Sequence, residues 1–268
     1  MSSASEPTYA LSKHALSRIP REYEEISRNP PSGISLITTD SLALCYAIIT
    51  GPPETAYEYA PFLIKITFPE DYPFSSPSCI LLTTGGGTVR FGPNLYACGK
   101  ICLSILGTWS GPKWAPSLCL SAVLISIQSL MSAKAAQNEP GHERASKLEI
   151  DNLNNVLSHE VLNVAVLEQM KSVVNKTFYS EDICEAMKKH FLSGSDKYIT
   201  NARKMVELDS QKFDEPNYSM VTGRNRIFRF AFLAEKIEEQ IRLLRAETRE
   251  EDGGTHSYPT LPPSPTGE

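Results

Sequence analysis

Four short apolar segments in the first third of the chain constrain the fold more than any other feature of the sequence. Residues 62–69, FLIKITFP, alternate between apolar and other side chains, which is typical of a strand with one buried face. Segments of similar composition lie at 34–39, 43–51 and 78–84. The links between them are too short for the crossover helices that parallel strands need, so the sequence predicts a four-stranded antiparallel meander.

Helical periodicity surrounds these strands. One amphipathic helix is predicted before them at Ser17–Arg28, with Ser17 as its N-cap and Pro20 in the first turn, where no intrahelical N–H is required. A second helix is predicted from Ser117 to about Met131. Further helices are predicted at about 151–172, 180–193 and 225–247. A helix, an antiparallel set of strands and a run of later helices together predict the α+β class.

Composition limits the function. The 268 residues carry a formal net charge of −5, which argues against a general binder of nucleic acid or of a membrane surface. The first twenty residues have no apolar signal-peptide region, and no stretch reaches the roughly 18 apolar residues of a membrane span. The six cysteines are expected to be reduced thiols. We therefore expect a cytoplasmic and/or nuclear protein with no nucleic-acid and no membrane partner.

Both ends of the chain differ from its middle. Residues 1–10 are polar, and residues 250–268 are rich in proline and glycine. Such segments bury too little apolar surface to fold, so both are predicted to be disordered.

The stretch Gly92–Trp114 holds two cysteines, Cys98 and Cys102, among glycines and other turn formers. Structural zinc needs four ligands, commonly in CxxC pairs, and no second Cys/His pair has ligand spacing. A thioredoxin-like pair would be CxxC at the start of a helix. A Cys/His protease would need a base held against the thiol, which sequence alone cannot place. The residues therefore leave open whether the stretch holds a pair or a single nucleophile with a bystander.

Several phrases occur together in one order: GPPETAY, ITFPEDYPFSSP, PN…GKICLSIL, WAPS and LISIQSL. In this order and spacing they resemble the core of the ubiquitin-conjugating enzyme family, over about Ala15 to Pro140. Longer phrases around them, such as TTGGGTVRFGPNLY and CLSILGTWSGPKWAP, are similar to the Z-type members of that family. The resemblance implies the family's fold, with a catalytic core at 11–145 and a helical C-terminal extension at 146–249.

The resemblance also implies the site. Cys102, in GKICL, matches the family's nucleophile, which accepts the modifier as a thioester because a thiolate is both a strong nucleophile and a good leaving group. Asn94 matches the asparagine of the family's His-Pro-Asn motif, which orders the loop and helps to stabilise the oxyanion. The motif's histidine is Gly92 here. Glu139 matches best the residue that orients the incoming lysine.

Partners follow from the same resemblance. Ubiquitin or a ubiquitin-like modifier, an activating enzyme, ligases and protein substrates are expected, with no cofactor and no metal, since the activating enzyme uses the ATP. Arg18 and Arg21 match positions that contact the activating enzyme, whereas Phe74 and Ser117 match the two loops that bind ligases.

The sequence departs from ordinary members in three places: EYAP at 58–61, the glycine run Gly85–Gly87 and GTWSGPK at 107–113. The glycine run is not followed by a phosphate-binding GxxxxGK[ST] motif. Because the last two departures flank Cys102, we expect them to shape access to it and to narrow the choice of activating enzyme. A catalytically inactive adaptor with the same fold is the alternative, although such variants typically lose the cysteine.

Overall fold

The computed structural model describes residues 9–177, 179–212 and 227–253. The predicted disordered ends fall mostly on residues 1–8 and 254–268, which lie outside the described residues. The last helix, α6 (Phe230–Gly253), ends four residues beyond the predicted limit of the extension at 249. The first two of those residues, Glu250 and Glu251, are good helix formers, so the helix continues past the predicted limit.

The first helix, α1 (Lys13–Arg28), begins earlier than the sequence predicts. Ser12 is the N-cap, and its hydroxyl accepts a hydrogen bond from the N–H of Ala15 at 3.2 Å. The prediction of Ser17 as the cap is therefore wrong, and Pro20 lies in the helix interior. Pro20 cannot donate to the carbonyl of Leu16, but both residues are exposed, so water can satisfy that carbonyl.

The antiparallel meander is confirmed. Strands β1 (Ile34–Thr38), β2 (Leu44–Thr50), β3 (Pro61–Thr67) and β4 (Ser78–Leu81) form one sheet in the order β1-β2-β3-β4. All three pairings are antiparallel. One face carries side chains that are fully buried: Cys45, Ala47, Ile49, Phe62, Ile64 and Ile66. With the buried stripes of α1 and of α2 (Leu120–Ser129), they form the main core.

The C-terminal half is helical. It contains α3 (Lys147–Glu160), a π-helical segment (Val161–Glu168), α4 (Gln169–Val174), α5 (Glu181–Lys204) and α6. Ser146 caps α3 in a capping box with Glu149, because each side chain bonds the other's backbone N–H. Short 3₁₀ turns lie at Ser104–Leu106, Ala135–Asn138 and Val206–Leu208.

Helix α5 packs against the second face of the sheet. The two ring nitrogens of His190 lie 2.9 Å from the hydroxyl of Ser35 in β1 and 3.0 Å from the hydroxyl of Thr50 in β2. Burial lowers the pKa of His190, which favours the neutral ring between these two hydroxyls. Ile48 and Leu63 on this face are fully buried, which explains why β3 is apolar beyond its predicted alternation.

The unusual EYAP stretch contacts the same helix. The buried hydroxyl of Tyr198 donates to the carbonyl of Tyr59 at 2.9 Å, and Asn201 donates to the carboxylate of Glu58 at 3.1 Å. The ammonium of Lys197 lies 5.4 Å from the ring centroid of Tyr59. Residues 58–61 therefore form one of the contacts between the sheet region and the helical C-terminal half. The division at 145/146 itself stays a prediction.

Candidate active site

A tight hairpin over residues 94–102 carries two of the three predicted catalytic residues. Leu95 and Ile101 form an antiparallel bridge, and the N–H of Tyr96 donates to the carbonyl of Lys100 at 3.0 Å. Lys100 also bridges Ile80 in β4, which attaches the hairpin to the edge of the sheet. Asn94 and Cys102 form the next opposed pair, which is why Cys102 comes eight positions after Asn94 in the sequence.

Asn94 and Cys102 are joined directly by two hydrogen bonds. The N–H of Cys102 donates to the carbonyl of Asn94 at 2.8 Å, and Asn94 Nδ2 donates to the carbonyl of Cys102 at 2.9 Å. Both residues are buried, and Asn94 Oδ1 has no hydrogen-bond partner among the described residues. The side-chain amide of Asn94 has a second N–H, which can donate a hydrogen bond to a negative charge that forms beside Cys102.

Thr108 holds the residues on both sides of Cys102. Its hydroxyl oxygen accepts from the N–H of Leu103 at 2.9 Å. The same hydroxyl can donate to the carbonyl of Ile101 or, at 3.1 Å, to that of Leu103. Thr108 belongs to the GTWSGPK segment, and no pattern in the sequence marked it as functional. The segment therefore does more than lengthen a loop, because it supports the backbone of the predicted nucleophile.

Glu139 forms an ion pair with Arg90. Arg90 Nη2 lies 2.9 Å from Glu139 Oε2, and both side chains are partly buried. The same guanidinium donates to the carbonyls of Gly92 (3.0 Å) and Pro93 (2.8 Å), and it lies 4.3 Å from the ring centroid of Tyr96. The structure thus connects Glu139 to the loop that carries Asn94. Its predicted role with an incoming lysine stays a prediction, and sequence reasoning missed Arg90.

The glycine run adopts a conformation that suits glycine. Gly85, Gly86 and Gly87 have φ values of +59°, +67° and +89°, a region that L side chains rarely adopt. A Cβ on Gly85 would lie 3.1 Å from Val164 Cγ1 in the π-helical segment. The run is therefore a turn that precedes Arg90 in the sequence. Its first glycine lies close to the π-helical segment of the C-terminal half.

The two cysteines of the opening stretch lie in different environments. Cys102 is 1% exposed, whereas Cys98 lies exposed at the turn of the hairpin. All six cysteines of the chain are free thiols. Within the described ranges, no three His, Cys, Asp or Glu side chains form a group that could hold a metal ion. These findings give no support to a disulfide pair or a zinc site here.

Comparison with known proteins identifies the family. Residues 18–161, more than half of the chain, match the family described as "Ubiquitin-conjugating enzyme". The chain belongs to the ubiquitin-conjugating enzyme family.

Individual relatives extend the similarity into the helical half. The chain is 37% identical over 238 residues to human "Ubiquitin-conjugating enzyme E2 Z", covering 87% of this chain and 66% of that protein. It is 39% identical over 207 residues to the zebrafish (Danio rerio) protein of the same name, covering 76% and 62%. A "Probable ubiquitin-conjugating enzyme protein 17" of Caenorhabditis elegans is 36% identical over 238 residues, covering 82% and 31%. The chain thus spans about two thirds or less of the length of these relatives.

The residues expected to contact the activating enzyme and those expected to contact ligases differ in their exposure to solvent. Arg21 is exposed on α1, but Arg18 bonds the carboxylate of Glu22 and the carbonyl of Leu118 (3.1 Å). Phe74 is 58% exposed and meets the ring of His14 edge-on, and Ser117 is exposed. The last two residues belong to adjacent loops, because Trp114 Nε1 donates to the carbonyl of Pro73 at 2.7 Å.

Among the described helices, none is long and apolar enough to cross a bilayer.

A short pulse of a maleimide reagent on the native protein should label Cys98 first. Cys102, Cys45, Cys79 and Cys184 are buried. Burial raises the pKa of Cys45 to about 12 and also raises that of Cys79, so the thiolates of Cys45 and Cys79 are scarce at neutral pH. Peptide mass spectrometry after a series of pulse times measures each rate. Cys98→Ala should remove the fast phase. Labelling of Cys102 as fast as Cys98 would contradict the burial that the structure shows.

Proposed function

We propose that this protein accepts ubiquitin or a ubiquitin-like modifier from an activating enzyme as a thioester on Cys102. It then transfers the modifier to a lysine of a protein substrate, usually together with a ligase. The observation that carries the proposal is the paired backbone and side-chain bonding between Asn94 and Cys102 in a member of the ubiquitin-conjugating family. This bonding fixes an amide donor beside the one cysteine that has the family's sequence context.

The chemistry consists of two acyl transfers. The thiolate of Cys102 attacks the carbonyl carbon at the modifier's C-terminus, a new C–S bond forms, and the activating enzyme's thiolate leaves. A deprotonated lysine amine then attacks the same carbon, an amide bond forms, the amine loses its second proton to solvent, and the Cys102 thiolate is released. The first step exchanges one thioester for another, while the second forms the more stable amide. Asn94 Nδ2 is the donor for the oxyanion of the second step.

The partner surfaces belong to the same proposal. Arg21 is the better candidate for contact with an activating enzyme, because Arg18 is already bonded within the protein. Phe74 supplies an exposed aromatic anchor for a ligase, with Ser117 on the adjacent loop. We also place the protein in the cytoplasm or nucleus, since six free thiols are typical of reducing compartments.

Charging tests the proposal. The protein is incubated with an activating enzyme, ATP and ubiquitin, and then analysed on a gel without reductant. We expect an adduct that a thiol reagent removes, that is absent in Cys102→Ala and that persists in Cys98→Ala. An adduct that persists in Cys102→Ala and is lost in Cys98→Ala would place the thioester on Cys98 and contradict the proposal.

One observation favours a second function, the inactive adaptor. Cys102 is almost completely buried, so a macromolecular thioester can reach it only if covering atoms move aside. An adaptor would bind pathway partners without being charged. The absence of any adduct, with a panel of activating enzymes and ubiquitin-like modifiers, together with retained binding to a ligase would support the adaptor over the enzyme.

A further inference from the structure

We propose that Arg90 is a positioning residue for Asn94, and that Glu139 acts by holding Arg90 in place. The inference rests on the proposed function, because it concerns the transfer step at Cys102. It assigns Glu139 a role different from the orientation of the incoming lysine, and the two roles predict different kinetics.

The starting point is the missing histidine. Gly92 stands where the family motif has its histidine, and it has a φ of +102°. A Cβ at this position would lie 2.9 Å from Tyr57 Oη, and that hydroxyl donates to the carbonyl of Phe91 at 2.9 Å. A side chain at Gly92 would therefore strain the backbone and displace Tyr57. The loop before Asn94 has to be ordered by groups other than an imidazole.

Arg90 supplies those groups. Its guanidinium donates to the two carbonyls that directly precede Asn94, those of Gly92 and Pro93. The planar, multi-donor shape of guanidinium allows one side chain to hold two consecutive peptide units, which an ammonium cannot match. The central carbon of the guanidinium lies over the ring of Tyr96, which follows Asn94 in the same hairpin. Arg90 thus holds the backbone that precedes Asn94 and contacts the side chain of Tyr96, which follows it.

Glu139 completes the arrangement by balancing the charge. The side chains of Arg90 and Glu139 are 19% and 27% exposed, so an unpaired guanidinium here would be drawn toward solvent. The carboxylate of Glu139 neutralises the charge of Arg90, so the guanidinium can remain where it donates to the carbonyls of Gly92 and Pro93. A carboxylate bonded to a guanidinium in this way is also a weak attractor for an approaching lysine.

The experiment first charges the full-length protein and then follows loss of the thioester over a range of free lysine concentrations. We expect Arg90→Met and Glu139→Gln to lower the maximal discharge rate by about tenfold. The half-saturating lysine concentration and the charging rate should stay within about twofold of the unaltered protein. The double variant should be no slower than Arg90→Met alone, since the two residues act as one unit. Arg90→Lys should be intermediate, and Arg144→Met, at an exposed arginine, should have no effect.

The competing role of Glu139 gives a different pattern. If Glu139 orients the amine, Glu139→Gln raises the half-saturating lysine concentration and shifts the pH profile of the discharge rate. Arg90→Met then leaves the discharge rate within twofold of the unaltered protein. The effects of the two substitutions add in the double variant. That result would overturn the proposal.

A second measurement works without charging. Hydrogen exchange of the uncharged protein should show faster exchange of the Cys102 N–H, which is bonded to the Asn94 carbonyl, in Arg90→Met than in Arg144→Met. If the unaltered protein forms no thioester, the proposed function fails, and the exchange result alone decides the positioning role. Equal exchange in the two variants would count against it.

Discussion

Thr108→Val is expected to slow thioester formation on Cys102 by about ten- to a hundred-fold. Valine keeps the shape of threonine but removes the hydroxyl that accepts from the N–H of Leu103 and can donate to the carbonyls of Ile101 and Leu103. The N–H of Leu103 then loses its partner, and the backbone on both sides of Cys102 loses its common support. Charging rates at a fixed concentration of activating enzyme measure the effect.

Two control variants make the Thr108 result specific. Thr108→Ser restores the hydroxyl and should recover most of the rate. Thr200→Val makes the same chemical change at an exposed residue of α5, whose hydroxyl donates to the carbonyl of Asp196, and should leave charging unchanged. A Thr108→Val protein that charges as fast as Thr200→Val would show that the hydroxyl does not position the nucleophile.

Glu22→Ala is expected to lower the free energy of unfolding by about 3 kcal/mol. Glu22 is 3% exposed, and its carboxylate accepts from Arg18, from the hydroxyl of Tyr72 (2.7 Å) and from the N–H of Leu120 (2.8 Å). Leu120 begins α2, whose N-cap, Cys119, makes no side-chain capping bond, so Glu22 supplies the negative charge that a helix N-terminus favours. Alanine would leave these three donors without their acceptor.

Urea unfolding followed by circular dichroism measures this effect. Glu24→Ala is the matched control, because Glu24 lies on the same helix in an exposed ion pair with Arg28, and its loss should change stability by about 0.5 kcal/mol or less. Tyr72→Phe removes one of the three bonds and should lie between the two. Burial, and then the bond to Glu22, raise the pKa of Tyr72, so its hydroxyl stays a donor throughout this experiment. Equal unfolding free energies for Glu22→Ala and Glu24→Ala would disprove the buried network.

The buried network also connects the fold to the partner surfaces. Arg18, on the helix expected to meet the activating enzyme, and Tyr72, in the loop that carries Phe74, share the Glu22 carboxylate. The ring of Trp114 lies against Tyr72 and its N–H bonds the same loop, which brings the Ser117 loop alongside. One carboxylate thus supports the first helix, the start of α2 and the position of the exposed Phe74.

The sequence by itself determined the α+β class, the meander and the family. Alternating apolar residues set the strand faces, short links set the antiparallel order, and the GKICL and PN phrases marked Cys102 and Asn94. These signals are local or have fixed spacing, so they can be read along one chain. The sequence predicts the cap of α1 at Ser17, whereas the helix begins after Ser12, because its first turn buries Ala15 in the same core as Ile19.

Only the tertiary structure decided how the site is supported. Arg90 and Glu139 are 49 residues apart, and Tyr198 contacts Tyr59 across 139 residues. Thr108 reaches Ile101 and Leu103 because Gly107 adopts a left-handed turn between them, although nothing in the composition of that loop distinguishes this threonine from any other. Contacts of this kind depend on where the sheet and helices place each backbone, so their energies belong to the folded chain and leave no periodic signal in the sequence.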